Sequence, residues 1–345
     1  MHLQPARAER GEDGESRHAM IPIEKGARVP CIRAFIAAVA ALLCSAVTAQ
    51  TPPQPQPPEQ PVDEGRLRFA VSVETVTLDV VVVDKKGRFV PGLTRDSFEI
   101  LEDGLPQNLS FFTAQFTPVT TLLLLDSSSS IRSNLSAIQT AAYLFAQNLS
   151  EGDKARIGLF SDEVRFGVGY SDDISVHLAM LNTMKSEGRT TLYDSILAAL
   201  DELESIEGRK SLLVFTDGDD VGPAKRGSRS SIEEVIEGAK QSEVTIYAVG
   251  FTGWGPEGSE SVNRPFLTTL SESTGGRPFF PKKVEEVKKA FAEVQKDLHR
   301  HYRMAYAPAN LSAGVRGWRN LEVKVKKPGL FVRTRQGYYT RAPSE

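Results

Sequence analysis

Three short polar segments border apolar runs and offer only oxygen donors. Asp126-Ser127-Ser128-Ser129-Ser130 directly follows the run VTTLLLL at 119–125, Gly188-Arg189-Thr190-Thr191 precedes a helical pattern that begins near Leu192, and Thr216-Asp217-Gly218 closes the apolar run 211–215. Asp126 and Asp217 supply carboxylates; Ser128, Ser130 and Thr190 supply neutral hydroxyls, with no His or Cys among them. Hard divalent cations choose such donors, and Mg²⁺ keeps some waters in a near-octahedral shell at about 2.0–2.1 Å. Mn²⁺ or Ca²⁺ are the alternatives. Neutral hydroxyls satisfy the metal's charge only in part, so a water-filled position stays electrophilic and open to a carboxylate from outside. Any one segment alone reads as a solvated loop, a turn or a cap, as Ser133 with Asn134 would be for the following helix. All three, in order and each beside a strand or helix end, point to a metal site.

The elements around these segments must bring them to one edge. Strand-like runs recur at 156–160, 211–215 and 244–249, with helical patterns at 135–149, 174–184, 192–206, 232–241 and 284–299. The run at 119–125 is continuously apolar at its end, as expected for a strand buried on both faces. The alternation predicts an α/β fold with a doubly wound, mostly parallel sheet, in which ligands bind outside the carboxyl ends of the strands. Residues 65–116 read differently: 71–83 alternates apolar and polar before becoming apolar, Asp84-Lys85-Lys86-Gly87 is a turn, 88–90 starts a returning strand, and short strands follow at 98–101 and 109–112. Strands return at 302–306, 320–325 and 330–335, too few to bury a core alone. They are expected to join 65–116 in a small flanking β-sandwich-like unit, with the α/β domain of 117–301 inserted between its halves.

The set Asp126-x-Ser128-x-Ser130, the Thr190 loop and Thr216-Asp217-Gly218 resembles the metal-ion-dependent adhesion site of von Willebrand factor type A domains, in order and in spacing. The α/β resemblance covers roughly 117–300. Val90-Pro91-Gly92-Leu93-Thr94, Phe98, Glu102-Asp103-Gly104 and Gly337-Tyr338-Tyr339 resemble a bacterial group of exported proteins with related domains. The resemblance implies that Ser128 and Ser130 bind the metal directly, that Thr190 joins in a ligand-engaged state, and that Asp126 and Asp217 often act through water. Gly188-Arg189-Thr190 departs from a common double-glycine form of this loop, so Arg189 would narrow the site or favour an acidic partner.

Composition narrows the rest. Of 345 residues, 41 are Lys or Arg and 44 are Asp or Glu, a net charge of -3, so the electrostatics of non-specific nucleic-acid binding have no support. The two cysteines, Cys31 and Cys44, both lie in the N-terminal region, which excludes a disulfide scaffold, a cysteine zinc site or a thiol enzyme downstream. Residues 34–47 are uncharged and follow Lys25, Arg28 and Arg33. They fall short of the roughly 20 apolar residues of a membrane span and fit a secretory signal over 1–49, cleaved after Ala49, with Met20 as a candidate start. The expected location is secreted or periplasmic, in the cell envelope; an uncleaved segment would instead anchor the chain, the one route to a membrane, whereas Ala41-Leu42-Leu43-Cys44 is a weak lipoprotein signal. The stretch 50–64 contains TPPQPQPPEQP and reads as an extended proline-rich linker.

Other motifs carry less. Gly253-Trp254-Gly255-Pro256-Glu257-Gly258 has dinucleotide-loop spacing but does not open into a helix, the next pattern starting near Phe266, so it reads as a loop. His299 and His301 are two apart and would not share a helix face. His177 has no recognisable nucleophile partner, and Lys282-Lys283, Lys288-Lys289, Lys324 and Lys326-Lys327 read as solvated faces. The expectation is a non-enzymatic exported adhesion module that recognises a carboxylate on a protein partner through a bound cation. The alternatives are an envelope scaffold whose metal only stabilises loops, and a metal-dependent hydrolase, for which a second metal about 3.5–4 Å away would have only Asp219 and Asp220 as spare acids.

Overall fold

The computed structural model describes residues 75–217, 220, 227–251, 262–309 and 317–340. The chain begins with β1 (Val76–Asp84), β2 (Phe98–Glu102), β3 (Leu105–Gln107) and β4 (Leu109–Thr113). Then come β5 (Val119–Asp126), a 3₁₀ turn (Ser129–Asn134), α1 (Leu135–Gln147), β6 (Lys154–Phe160), β7 (Val164–Phe166), α2 (Ile174–Leu181) and α3 (Leu192–Glu204). They are followed by β8 (Arg209–Thr216), α4 (Ile232–Gln241), β9 (Val244–Gly250), α5 (Arg264–Ser273), β10 (Pro278–Phe279) and α6 (Val284–His299). Last are β11 (Tyr302–Tyr306), β12 (Trp318–Val325), β13 (Leu330–Arg333) and β14 (Gly337–Tyr339).

The sheet of the α/β part has the order β10-β9-β8-β5-β6-β7, parallel except for β7, which pairs antiparallel with β6. This is the doubly wound, mostly parallel arrangement. Successive side chains of a strand point to opposite faces, so the leucines of β5 divide between two cores. Leu123 and Leu125 pack with Ile138, Phe145, Phe291 and Val294 of α1 and α6. Leu122 and Leu124 pack with Ile196, Leu203, Val235 and Leu267 of α3, α4 and α5. All four leucines are fully buried, which explains a run with no polar alternation.

The flanking unit is two antiparallel four-stranded sheets, β13-β1-β11-β4 and β14-β12-β2-β3. Alternate residues Val76, Leu78, Val80 and Val82 of β1 face its core, against Phe98, Ile100, Tyr302, Tyr306, Leu321 and Val323. β11 pairs with both β1 and β4, and Arg303 lies opposite Thr113. The strands entering and leaving the α/β insertion are thus neighbours, and no long connection is needed.

The flanking sequence motifs are polar staples of this unit. Tyr302 Oη donates to the Val90 carbonyl at 2.7 Å and accepts the Leu93 N–H at 3.1 Å, fixing the Val90–Leu93 segment. The buried Glu102 carboxylate accepts Tyr306 Oη at 2.6 Å and Tyr338 Oη at 3.0 Å, and so ties the two sheets together. Asp103, at φ 48°, accepts the Asn320 N–H and an Arg319 N–H, each at 2.9 Å.

Several local expectations need correction. The returning strand at 88–90 is only an isolated bridge between Val83 and Phe89, because Asp84 Oδ1 takes the Lys86 and Arg88 N–H groups and turns the chain locally. Ser133 and Asn134 lie inside the 3₁₀ turn that runs straight into α1, not in a separate loop before it. The helix at 174–184 ends at Leu181, leaving Met184 buried beyond it. The expected signal segment, the proline-rich linker, residues 65–74 and the Gly253–Gly258 loop with Trp254 lie outside the described residues. Among the described residues no helix is long and apolar enough to cross a membrane.

Candidate metal centre

β5 and β8 run side by side with Leu125 opposite Phe215, which brings Asp126 level with Thr216 at their carboxyl ends. Asp126 is wholly buried. Its Oδ1 accepts the Ser128 N–H and its Oδ2 accepts the Thr216 hydroxyl, each at 2.8 Å. The hydroxyls of Ser128 and Ser130 are 2.9 Å apart, and Ser130 Oγ donates to Asp217 Oδ1 at 2.7 Å. Four of the five sequence-derived donors therefore form one hydrogen-bonded chain. Ser130 is exposed, whereas Asp126, Ser128 and Asp217 are buried, so the chain runs from the interior to an open face.

The electrostatics of this chain favour a cation. Burial, and then the neighbouring Asp126 carboxylate, push Asp217 up to about 7. Burial also raises Asp126, against the hydrogen bonds from Ser128 and Thr216 that favour its charged form. Two like-charged acids share a desolvated pocket whose remaining donors are neutral oxygens, and a hard divalent ion between them would relieve both penalties. The residues present fit Mg²⁺ in donor type. Among the described residues no three His, Cys, Asp or Glu side chains gather to hold a metal elsewhere.

Thr190, the fifth donor, is half-buried and its hydroxyl takes no part in that chain. Its loop is nevertheless docked against the serine turn. Glu187 N–H donates to the Ser127 carbonyl at 3.0 Å, Ser186 Oγ to the Ser128 carbonyl at 2.8 Å, and Ser129 N–H to the Gly188 carbonyl at 3.1 Å. On its other side the Thr191 N–H and hydroxyl both donate to the Ser161 carbonyl, at 3.1 and 2.7 Å. Arg189 Nε donates to Asp162 Oδ1 at 2.8 Å. Gly188 adopts φ 82°, and a Cβ there would lie 2.5 Å from Asp162 Oδ2, so conformation and space both demand glycine.

Sequence reading missed these supports. Ser127 donates through both N–H and Oγ to the Phe160 carbonyl, pinning the serine turn to β6. Neither Ser127, Ser186 nor Asp162 carried a signal, since each works through a backbone partner or a neighbour distant in sequence. Asp220 is not a spare acid. Its carboxylate accepts the N–H of Tyr193 at 3.1 Å and that of Ser228 at 2.9 Å, together with the Ser228 hydroxyl. It thereby ties the start of α3 to the segment at Ser228. Asp219 lies outside the described residues.

His177 and His299 are occupied otherwise. His177 Nε2 lies 3.0 Å from the Ser171 carbonyl oxygen and His299 Nε2 lies 2.7 Å from Asp153 Oδ2. His301 is buried at the edge of β11. None of the three hydrogen-bonds a serine or threonine hydroxyl.

The sequence model for the von Willebrand factor type A domain matches residues 122–293, from inside β5 to inside α6. The chain carries a von Willebrand factor type A domain. The matched span contains all five candidate donors, and the strands of the flanking unit lie outside it. Similar solved structures include the vWF domain of the type V pili tip protein Mfa5 from Porphyromonas gingivalis, 11% identical over 53% of this chain and 95% of that one, with a TM-score of 0.42. The PilB minor pilin from Streptococcus sanguinis is 14% identical over 54% of this chain and 62% of its own, with a TM-score of 0.44. A von Willebrand factor type A protein from Catenulispora acidiphila is 11% identical over 79% of this chain and 75% of its own, with a TM-score of 0.44. No curated protein matches the chain.

Proposed function

We propose that this type A domain is an exported, non-enzymatic binding module that captures an acidic group on a protein partner through a divalent cation. The observation that carries this reading is the chain Asp126–Ser128–Ser130–Asp217, which joins two buried carboxylates through the Ser128 backbone N–H and the hydroxyls of Ser128 and Ser130, and reaches the surface at Ser130. Ser128 and Ser130 would hold the ion, Asp126 and Asp217 would balance its charge and orient the hydroxyls, and Thr190 would complete the set. A bound Mg²⁺ supplies an electrophilic position that a partner's carboxylate can fill. Export is supported by the N-terminal apolar segment and would put the module in the envelope or outside the cell.

Hydrolysis has less support. The Asp220 carboxylate is already engaged by Tyr193 and Ser228, so a second metal would have to displace these bonds. Titration calorimetry of the protein with Mg²⁺ and Mn²⁺ tests the reading. It predicts one saturable site that is lost in Ser130→Ala; absence of binding by wild type sinks it.

A further inference from the structure

The loop that carries Thr190 is gripped from two sides, and the outer grip is an ion pair at the rim of the site. Ser186, Glu187 and Gly188 bond to the serine turn, while Arg189 and Thr191 bond to the Ser161-Asp162 turn between β6 and β7. Asp162 Oδ1 accepts both the Arg189 Nε at 2.8 Å and the Arg189 backbone N–H at 3.3 Å. Its other oxygen lies where only glycine fits at position 188. Thr190 is thus the one residue between 186 and 191 that neither turn holds, and its flanks are fixed on both sides.

We propose that Asp162 and Arg189 form a positioning clamp that sets Thr190 as the fifth donor to the cation. This rests on the metal-site reading above. The pair is partly exposed, with the Arg189 and Asp162 side chains 58% and 47% accessible, so it contributes little to global stability. Its effect is local: the carboxylate bonds to the backbone N–H that immediately precedes Thr190, and the guanidinium closes over the same carboxylate. Groups that orient metal ligands in this way change metal affinity far more than they change folding.

Charge and clamp make opposite predictions for one of the two residues. If the pair acted only through its field, Arg189→Ala would remove a positive charge and tighten cation binding, while Asp162→Ala would weaken it. The clamp requires both to weaken it. Mn²⁺ alone, titrated calorimetrically into the full chain, should bind about tenfold more weakly to each variant. Arg189→Lys should recover part of the loss, and in a Thr190→Val background neither change should matter further. Apo melting temperatures should stay close to wild type, with faster amide exchange at Arg189 and Thr191.

Tighter binding by Arg189→Ala, or unchanged affinity in both variants, overturns the clamp and leaves the metal site standing. A further full loss in the Thr190→Val background also overturns it. A wild type that binds no Mn²⁺ overturns the metal-site reading, and the clamp with it.

Discussion

Arg209, the first residue of β8, reaches across the junction to Asp79 of β1, with Nε 2.7 Å from Oδ2. The same guanidinium donates through Nη1 to the Thr117 carbonyl at 3.1 Å and the Leu298 carbonyl at 2.9 Å. One side chain therefore joins the sandwich, the segment entering the type A domain and the end of its last helix. The candidate metal centre lies at the other end of the same strand, eight residues away, or roughly 25 Å at strand rise. The sandwich thus holds the domain at the end of β8 opposite the candidate donors.

Removing that side chain would leave two carbonyls without this donor and the Asp79 carboxylate with the longer Arg303 contact at 3.8 Å. Arg209→Met is expected to cost about 3 kcal/mol, in line with breaking one partner of a buried ion pair. Asp79→Asn should cost less, because its amide oxygen still accepts from Nε. Urea midpoints for the two variants check the order; equal and small losses would show that the junction is wet or dispensable.

His301 gives the junction a pH dependence. Burial, and then the cations of Arg209 and Arg303, pull it down to about 4, although the Asp79 carboxylate opposes this. In the unfolded chain it titrates near 6.5. Between those values the unfolded state binds the extra proton, so the His301 contribution should lower stability as pH drops below about 6.5, by up to about 3 kcal/mol. His177, also lowered by burial, acts in the same sense, whereas Asp217, raised to about 7, acts in the opposite one. The His301 share is therefore read by difference: His301→Gln should flatten the denaturation-midpoint profile between pH 6.5 and 5, and an unchanged slope would refute the assignment.

Glu102 tests the sandwich core. With Tyr306→Phe or Tyr338→Phe the carboxylate keeps one donor, and each change should cost about 1–2 kcal/mol. The double variant leaves Glu102 without either phenol, in a buried position. Its loss should exceed the sum of the two, which a double-mutant cycle by chemical denaturation measures directly.

Much of the fold was legible because its signals are local. The unbroken leucines of β5 announced burial on both faces, and the alternation in β1 announced one buried face. The donors Asp126, Ser128, Ser130 and Asp217 were legible because each sits at a strand end or a few residues past it. What was not legible joins residues far apart in sequence. Asp79 and Arg209 are 130 positions apart, and Glu102 and Tyr338 are 236 apart. Asp162 looked like one more turn acid until the approach of Gly188 and Arg189 gave it a task. The short edge strands β7 and β10, of three and two residues, carry too little periodicity to be seen in advance.

The central claim is that the Asp126–Ser128–Ser130–Asp217 chain binds a divalent cation. Thermal melting of the wild type with Mg²⁺, Mn²⁺ and Ca²⁺, beside Asp126→Ala and Ser130→Ala, tests it most directly. At a cation concentration of about a hundred times Kd the wild type should melt roughly 5 °C higher or more, and both variants should lose the shift. Ser130 is exposed, so that variant should fold even if Asp126→Ala does not. No shift in wild type with any of the three ions at millimolar concentration, and no heat of binding, would contradict the account.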